Sequence, residues 1–161
     1  MNILEFAINM ELEGEKYYIE QAEINKENSL ETVFLLLAKD ESRHAKVLQK
    51  KADGLSYDLG QDEMHTKAVS IFHELGAINI ETKQTPDQLD AYRLALKNEK
   101  ESIILYQKFL SEAADDESKK LFAYLIEQEE NHYAIINQLI VLISHSQEWV
   151  EAAEFGLRED Y

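Results

Sequence analysis

The chain predicts an all-α protein, a bundle of four long helices built as two hairpins joined by a long crossover, with a short C-terminal segment after it. Three observations carry that prediction. The 161 residues hold five Gly and one Pro, too little turn chemistry for a sheet protein, which needs such punctuation at intervals of about 8–12 residues. Apolar residues recur in steps of three and four over long stretches, the period of a helix face. They also make up 45% of the chain, enough to build a core in a domain of this length, so disorder is not expected.

The first helix is expected from about Ile3 to Ala22 or beyond, on the stripe Leu4, Ala7, Gly14, Tyr18 and Ala22, and it ends in the polar run Asn25-Lys26-Glu27-Asn28. Asn28 followed three residues later by Glu31 resembles a capping box, so a second helix begins there and runs to Lys51, stopped by Asp53-Gly54. Residues 54–83 contain three Gly and read as a connector with one short helix around Lys67 to Leu75. A third helix starts at Thr85-Pro86-Asp87-Gln88, with Thr as N-cap and Pro at the first helical position, and continues to about Ala114. Asp115-Asp116-Glu117 places acids where the next helix dipole favours them, and the fourth helix is expected to end near Ser144. Residues 1–145 thus form the bundle and 146–161 a helical tail carrying Trp149 and Phe155. The crossover of about 30 residues is long enough to travel the length of a bundle.

Charge and composition exclude several functions. Sixteen Lys and Arg against 32 Asp and Glu give a net charge of −16, so no basic patch exists for nucleic acid. The absence of Cys excludes disulfides, thiolate metal sites and a cysteine nucleophile. The start of the chain has no basic n-region or apolar h-region, and no apolar run approaches the roughly 18 residues that span a bilayer, so a soluble cytoplasmic protein without membrane contact is expected.

What interrupts the inner stripes is more informative. They read Leu4, Ala7, Glu11, Gly14, Tyr18 in the first helix and Phe34, Leu37, Glu41, His44, Leu48 in the second. The third gives Tyr92, Ala95, Glu99, Ser102, Tyr106, Phe109, and the fourth Phe122, Leu125, Glu129, His132, Ile136. Every helix carries a core-facing Glu. The elements also repeat at a constant offset of 88 residues, pairing Glu11 with Glu99, Tyr18 with Tyr106, Glu41 with Glu129 and His44 with His132. Each copy supplies a Glu seven residues before a Tyr and then a Glu-x-x-His, whose two side chains project from one helix face. Four ionised carboxylates in a core repel one another and lose several kcal/mol each in hydration, with no Lys or Arg on these stripes to relieve them. Protonation would remove the charge. Two divalent cations would cancel it as well, with the imidazoles completing the donor set, and ligands of this kind suit iron or manganese, with zinc also open.

Glu11, Tyr18, Glu41-x-x-His44, Glu99, Tyr106 and Glu129-x-x-His132 resemble the ferritin-like di-iron carboxylate pattern, in which two helices give one Glu each and two give a Glu-x-x-His. Within it the chain looks like the rubrerythrin-related branch. The local features behind this are Met10-Glu11-Leu12-Glu13-Gly14 before Tyr17-Tyr18, the run Leu37-Ala38-Lys39-Asp40-Glu41 before His44, and the ending Glu148-Trp149-Val150-Glu151-Ala152-Ala153-Glu154-Phe155. The resemblance implies that Glu11 and His44 are terminal ligands of one iron and Glu99 and His132 of the other. It implies that Glu41 and Glu129 bridge, and that Tyr18 and Tyr106 lie just behind the ligands. It also implies reduction of hydrogen peroxide, or dioxygen, in a homodimer. A ferritin-like ferroxidase and a helical binding module merely stabilised by metal are the alternative readings.

The chain departs from the family at two points. It has Ser102 three residues after Glu99, where typical rubrerythrins carry an extra Glu, and Gly14 at the equivalent first-helix position, which withdraws the ligand switching associated with that Glu. It also lacks the Cys-rich rubredoxin module, so electrons are expected from a separate donor, a rubredoxin-like protein or a flavin reductase. Elsewhere the plainer readings hold. His65, three residues after Asp62, is read as a surface residue, as are His73 and His145. Met10 and Met64 imply no methionine-rich metal site. The acids at 115–117 are read as a helix start rather than an iron path. Trp149 and Phe155 are expected to cover the bundle end or a neighbouring subunit.

Overall fold

The computed structural model describes residues 2–27, 30–60, 67–68, 70 and 86–158, giving for 86–87 and 145–158 the backbone alone. Most of them lie in four helices: α1 (Ile3–Ile24), α2 (Leu30–Ala52), α3 (Pro86–Glu112) and α4 (Asp116–Arg158). No described residue is in a strand. Asn2 caps α1, its side chain accepting from the Glu5 amide at 2.8 Å. Asp53-Gly54 ends α2 as expected: Gly54 adopts φ 69°, and the Gly54 and Leu55 amides donate to the Lys51 and Lys50 carbonyls, a Schellman closure. The acids at 115–117 do start a helix, since Asp115 accepts from the Ser118 amide at 2.9 Å and caps α4.

The boundary of the last helix differs from expectation. Instead of ending near Ser144 before a separate tail helix, α4 runs unbroken to Arg158. No Pro interrupts it, and Gly156 comes too near its end to stop it earlier. The caps Asn28 and Thr85 lie outside the described residues, as do His65, His73, and the side chains of His145, Trp149 and Phe155. In the connector, Lys67, Ala68 and Ser70 are helical, and the rest of the expected short helix falls outside.

Two apolar clusters fill the bundle. One joins the C-terminal half of α1 and the start of α2 to the start of α3 and the later part of α4, around Tyr18, Phe34, Leu37, Tyr92 and Ile136. The other joins the start of α1 and the end of α2 to the end of α3 and the start of α4, around Ala7, Leu48, Tyr106, Phe122 and Leu125. The helices therefore run up, down, down and up, and the connector must cross from one end of the bundle to the other. Its track agrees: Tyr57 and Leu59 pack against the second cluster, whereas Ala68 is buried in the first.

α1 packs on α2 and α3 on α4 with their backbones close, so the chain forms two hairpins. Contacts between the hairpins run through long side chains. The 88-residue repeat is visible within each hairpin, since Tyr18 stacks on Phe34 and Tyr106 on Phe122, both with ring centroids 6.3 Å apart. Leu37 and Leu125, equivalent in the repeat, are each fully buried, one in each cluster. Leu37→Ala and Leu125→Ala should each lower unfolding free energy by about 2–5 kcal/mol, read from urea denaturation.

Candidate metal centre

Between the two apolar clusters lies a polar layer. Its members are Glu11 from α1, Glu41 and His44 from α2, Glu99 from α3, and Glu129 and His132 from α4, none more than 5% exposed. All six residues singled out in the sequence meet here, and they form two overlapping groups. Glu11, Glu41, His44 and Glu129 make one, and Glu41, Glu99, Glu129 and His132 the other, with donor atoms in each lying within 4.8 Å of one another. Glu41 and Glu129 belong to both. Either group could hold a metal ion.

The imidazoles face inward through Nδ1. His44 Nδ1 lies 3.3 Å from Glu129 Oε1 and 3.5 Å from Glu11 Oε2. His132 Nδ1 lies 3.0 Å from Glu41 Oε1, 3.6 Å from Glu99 Oε1 and 3.5 Å from Glu129 Oε2. Their outward nitrogens meet acceptors: His132 Nε2 is 2.6 Å from Asp40 Oδ2, and His44 Nε2 is 3.3 Å from Gln128 Oε1. Neither oxygen has a proton to give, so Nε2–H is the donor and a neutral ring directs its Nδ1 lone pair at the glutamates. That is the tautomer a metal ligand requires.

The site also contains an unsatisfied pair. His44 Nδ1 and Glu129 Oε1 are buried and have no hydrogen-bond partner of proper geometry. A cation between them would satisfy both, and the mixed nitrogen and oxygen donors suit a divalent metal, so the residues fit one.

Tyr18 and Tyr106 are more than core filling. The Tyr18 hydroxyl donates to Glu99 and the Tyr106 hydroxyl to Glu11, so each tyrosine reaches across to the other hairpin. Burial first, and then the neighbouring carboxylates, push both phenols well above their ordinary range, so they remain protonated donors.

Asp40, Gln128 and Arg43 are the residues that sequence reading missed. Asp40 and Gln128 each precede a shared Glu and sit 88 residues apart, a signal that was present but lies off the glutamate stripe. Arg43 pairs with Asp40 at 2.5 Å and donates to Gln128 at 2.9 Å, to the Leu59 carbonyl at 3.0 Å and to the Tyr124 hydroxyl. These contacts close the α2/α4 side. On the opposite side, a cavity of about 400 Å³ between α1 and α3 reaches Glu11, Glu41 and Glu99, walled by Met10, Tyr17 and Leu105. Gly14 and Ser102 face it, and a Cβ at position 14 would come within 3.3 Å of Glu41 Cδ.

A helical bundle with one Glu from each of two helices and a Glu-x-x-His from each of the other two is a ferritin-like carboxylate protein. The Rubrerythrin family model matches residues 2–140, and the chain belongs to that family. Comparison with curated proteins and with solved structures gives no match.

Without metal, the layer divides its protons. Burial raises Glu41 and Glu129 well above the carboxylate range, and repulsion from the other glutamates adds to it. Burial also pushes Glu11 up, but a hydrogen bond with Glu41 and the charge of His44 outweigh it and bring the carboxyl down to about 2. Glu99 is lowered in the same manner, by Glu129 and His132. Burial disfavours both imidazolium ions, yet the Glu11 charge beside His44 and the Glu41 charge beside His132 carry these rings well above 6.5.

Glu41, Glu129, His44 and His132 thus bind protons more tightly folded than unfolded. Stability from the two glutamates falls as pH rises above 4.5, and that from the histidines as it rises above 6.5. Glu11 and Glu99 act oppositely, losing their contribution as pH drops below 4.5. Calorimetric Tm of the metal-free protein should therefore fall as pH rises above about 6.5, where both pairs of groups lose their contribution. Two equivalents of divalent cation should oppose that fall, because metal displaces those protons more readily at higher pH.

Proposed function

We propose that the protein is a non-haem di-iron oxidoreductase that reduces hydrogen peroxide, or dioxygen, to water with electrons from a separate donor. The observation that carries this reading is the pair of overlapping donor groups sharing Glu41 and Glu129, reached by a cavity between α1 and α3. Membership of the rubrerythrin family, whose members are typically oxidoreductases, supports it.

In this reading Glu11 and His44 would hold one iron and Glu99 and His132 the other, with Glu41 and Glu129, common to both donor groups, contributing to each. Bound there, two ferrous ions would supply the two electrons that, with two protons, reduce one hydrogen peroxide to two waters. Tyr106 and Tyr18 fix the Glu11 and Glu99 carboxylates by hydrogen bonds, keeping these terminal donors in place while the charge at the centre changes. Gly14 and Ser102 leave the α1/α3 approach open to a small molecule. The apolar clusters above and below limit water. Since the chain has no Cys to carry electrons, they come from a rubredoxin-like protein or a flavin reductase.

The test is an anaerobic titration. Protein loaded with two ferrous ions per chain should be oxidised by one equivalent of peroxide, retain both ions, and be returned to the ferrous state by a rubredoxin-like donor. Continued uptake of iron beyond two per chain would move the reading to ferroxidase or iron handling, whereas bound but inert metal would leave only a stabilising role. Glu129→Ala should lose dinuclear loading by metal analysis, and two metals retained in that variant would overturn the bridge.

A further inference from the structure

The two halves of the centre match at every donor but not behind the histidines. Positions 40 and 128 are equivalent in the repeat, yet one is Asp and the other Gln. His132 Nε2 is therefore backed by a carboxylate at 2.6 Å, and His44 Nε2 by a carboxamide oxygen at 3.3 Å. Asp40 is buried, and Arg43 holds it in place. Gln128 Oε1 is shared, accepting from Arg43 Nη2 at 2.9 Å as well. Asp40 Oδ2 is also 3.6 Å from His44 Nε2, beyond hydrogen-bond reach, so that ring feels only its charge.

A carboxylate accepting from the far nitrogen of an imidazole makes the near nitrogen a better donor to metal, and a neutral amide does so less. Arg43 touches both backing groups in different ways. It pairs with Asp40 through Oδ1 and leaves Oδ2 to His132, whereas it draws on the single Gln128 oxygen that orients His44.

We propose that the centre is unequal by construction: the half formed by Glu99 and His132, backed by Asp40, binds a divalent cation more tightly than the half formed by Glu11 and His44, and fills first. This rests on the two-metal reading of the site.

The metal-free full chain would be titrated with Zn(II), following the ring nitrogens of His44 and His132 by NMR and the two affinities by calorimetry. Repulsion between cations separates the two steps even in a symmetric site, so the decisive readout is which ring responds first. His132 should shift with the first equivalent and His44 with the second. Asp40→Asn should weaken the first step by about 10–100-fold while keeping a stoichiometry of two. Gln128→Glu should strengthen the half that holds His44 and spread the first equivalent over both rings. The proposal fails if both wild-type rings respond together, if His44 responds first, or if both variants leave the order and affinities unchanged. Should Asp40→Asn not fold, Gln128→Glu decides alone. If no Zn(II) binds, the two-metal reading falls together with this one, whereas two equal zinc sites overturn this inference only.

Discussion

Desolvated negative charge is the constraint on which the rest of the structure depends. Four glutamates occupy one layer of a helical bundle, with apolar packing above and below, and their mutual repulsion must be met from within. The two imidazoles, the crossed tyrosine hydroxyls and the shared protons of Glu41 and Glu129 meet it when metal is absent. Cations would meet it more completely, because they would also satisfy the two lone-pair atoms, His44 Nδ1 and Glu129 Oε1, that the protein leaves without partners. The same burial that makes this layer costly makes it selective for a ligand carrying positive charge.

The bundle geometry follows from serving that layer. Backbones lie close within each hairpin but not between hairpins, so the space between them is filled by glutamates, tyrosines, histidines and an arginine. The repeat relates the two halves by an approximate twofold perpendicular to the helices. On the α1/α3 side it leaves an opening flanked by Gly14 and Ser102. On the α2/α4 side Arg43 ties Asp40, Gln128, Tyr124 and the Leu59 carbonyl into a closed surface. The approach to the layer and the backing of its histidines therefore depend on different residues on opposite sides of the site.

Much of this was legible in the sequence. Regular stripes interrupted by Glu at the same register in every helix located the layer, and the 88-residue offset of Glu11, Tyr18, Glu41 and His44 disclosed the paired halves. The Asp53-Gly54 stop and the helix start at Asp115-Asp116-Glu117 were readable because their chemistry is local. Asp40 and Gln128 were not, because their role appears only when helices from different hairpins meet: an Asp on an acid-rich chain is otherwise read as surface. The continuation of α4 beyond Ser144 was missed for a simpler reason. Weak helix formers such as Ser144 and Ser146 suggest an end, but without Pro or an earlier Gly nothing enforces one.

The crossed contacts from Tyr18 to Glu99 and from Tyr106 to Glu11 have an evolutionary consequence. Neither hairpin can satisfy its own glutamate, since the hydroxyl that holds it belongs to the other. A solitary hairpin of this sequence would need a second copy of itself, facing it across a twofold, to neutralise its buried charge. The two tyrosines make the contacts that such a symmetric pair would make between separate chains. Fusion through the crossover converts a concentration-dependent association into an intramolecular one. It also frees the copies to diverge, and Asp40 opposite Gln128 is a difference that two identical chains could not have acquired.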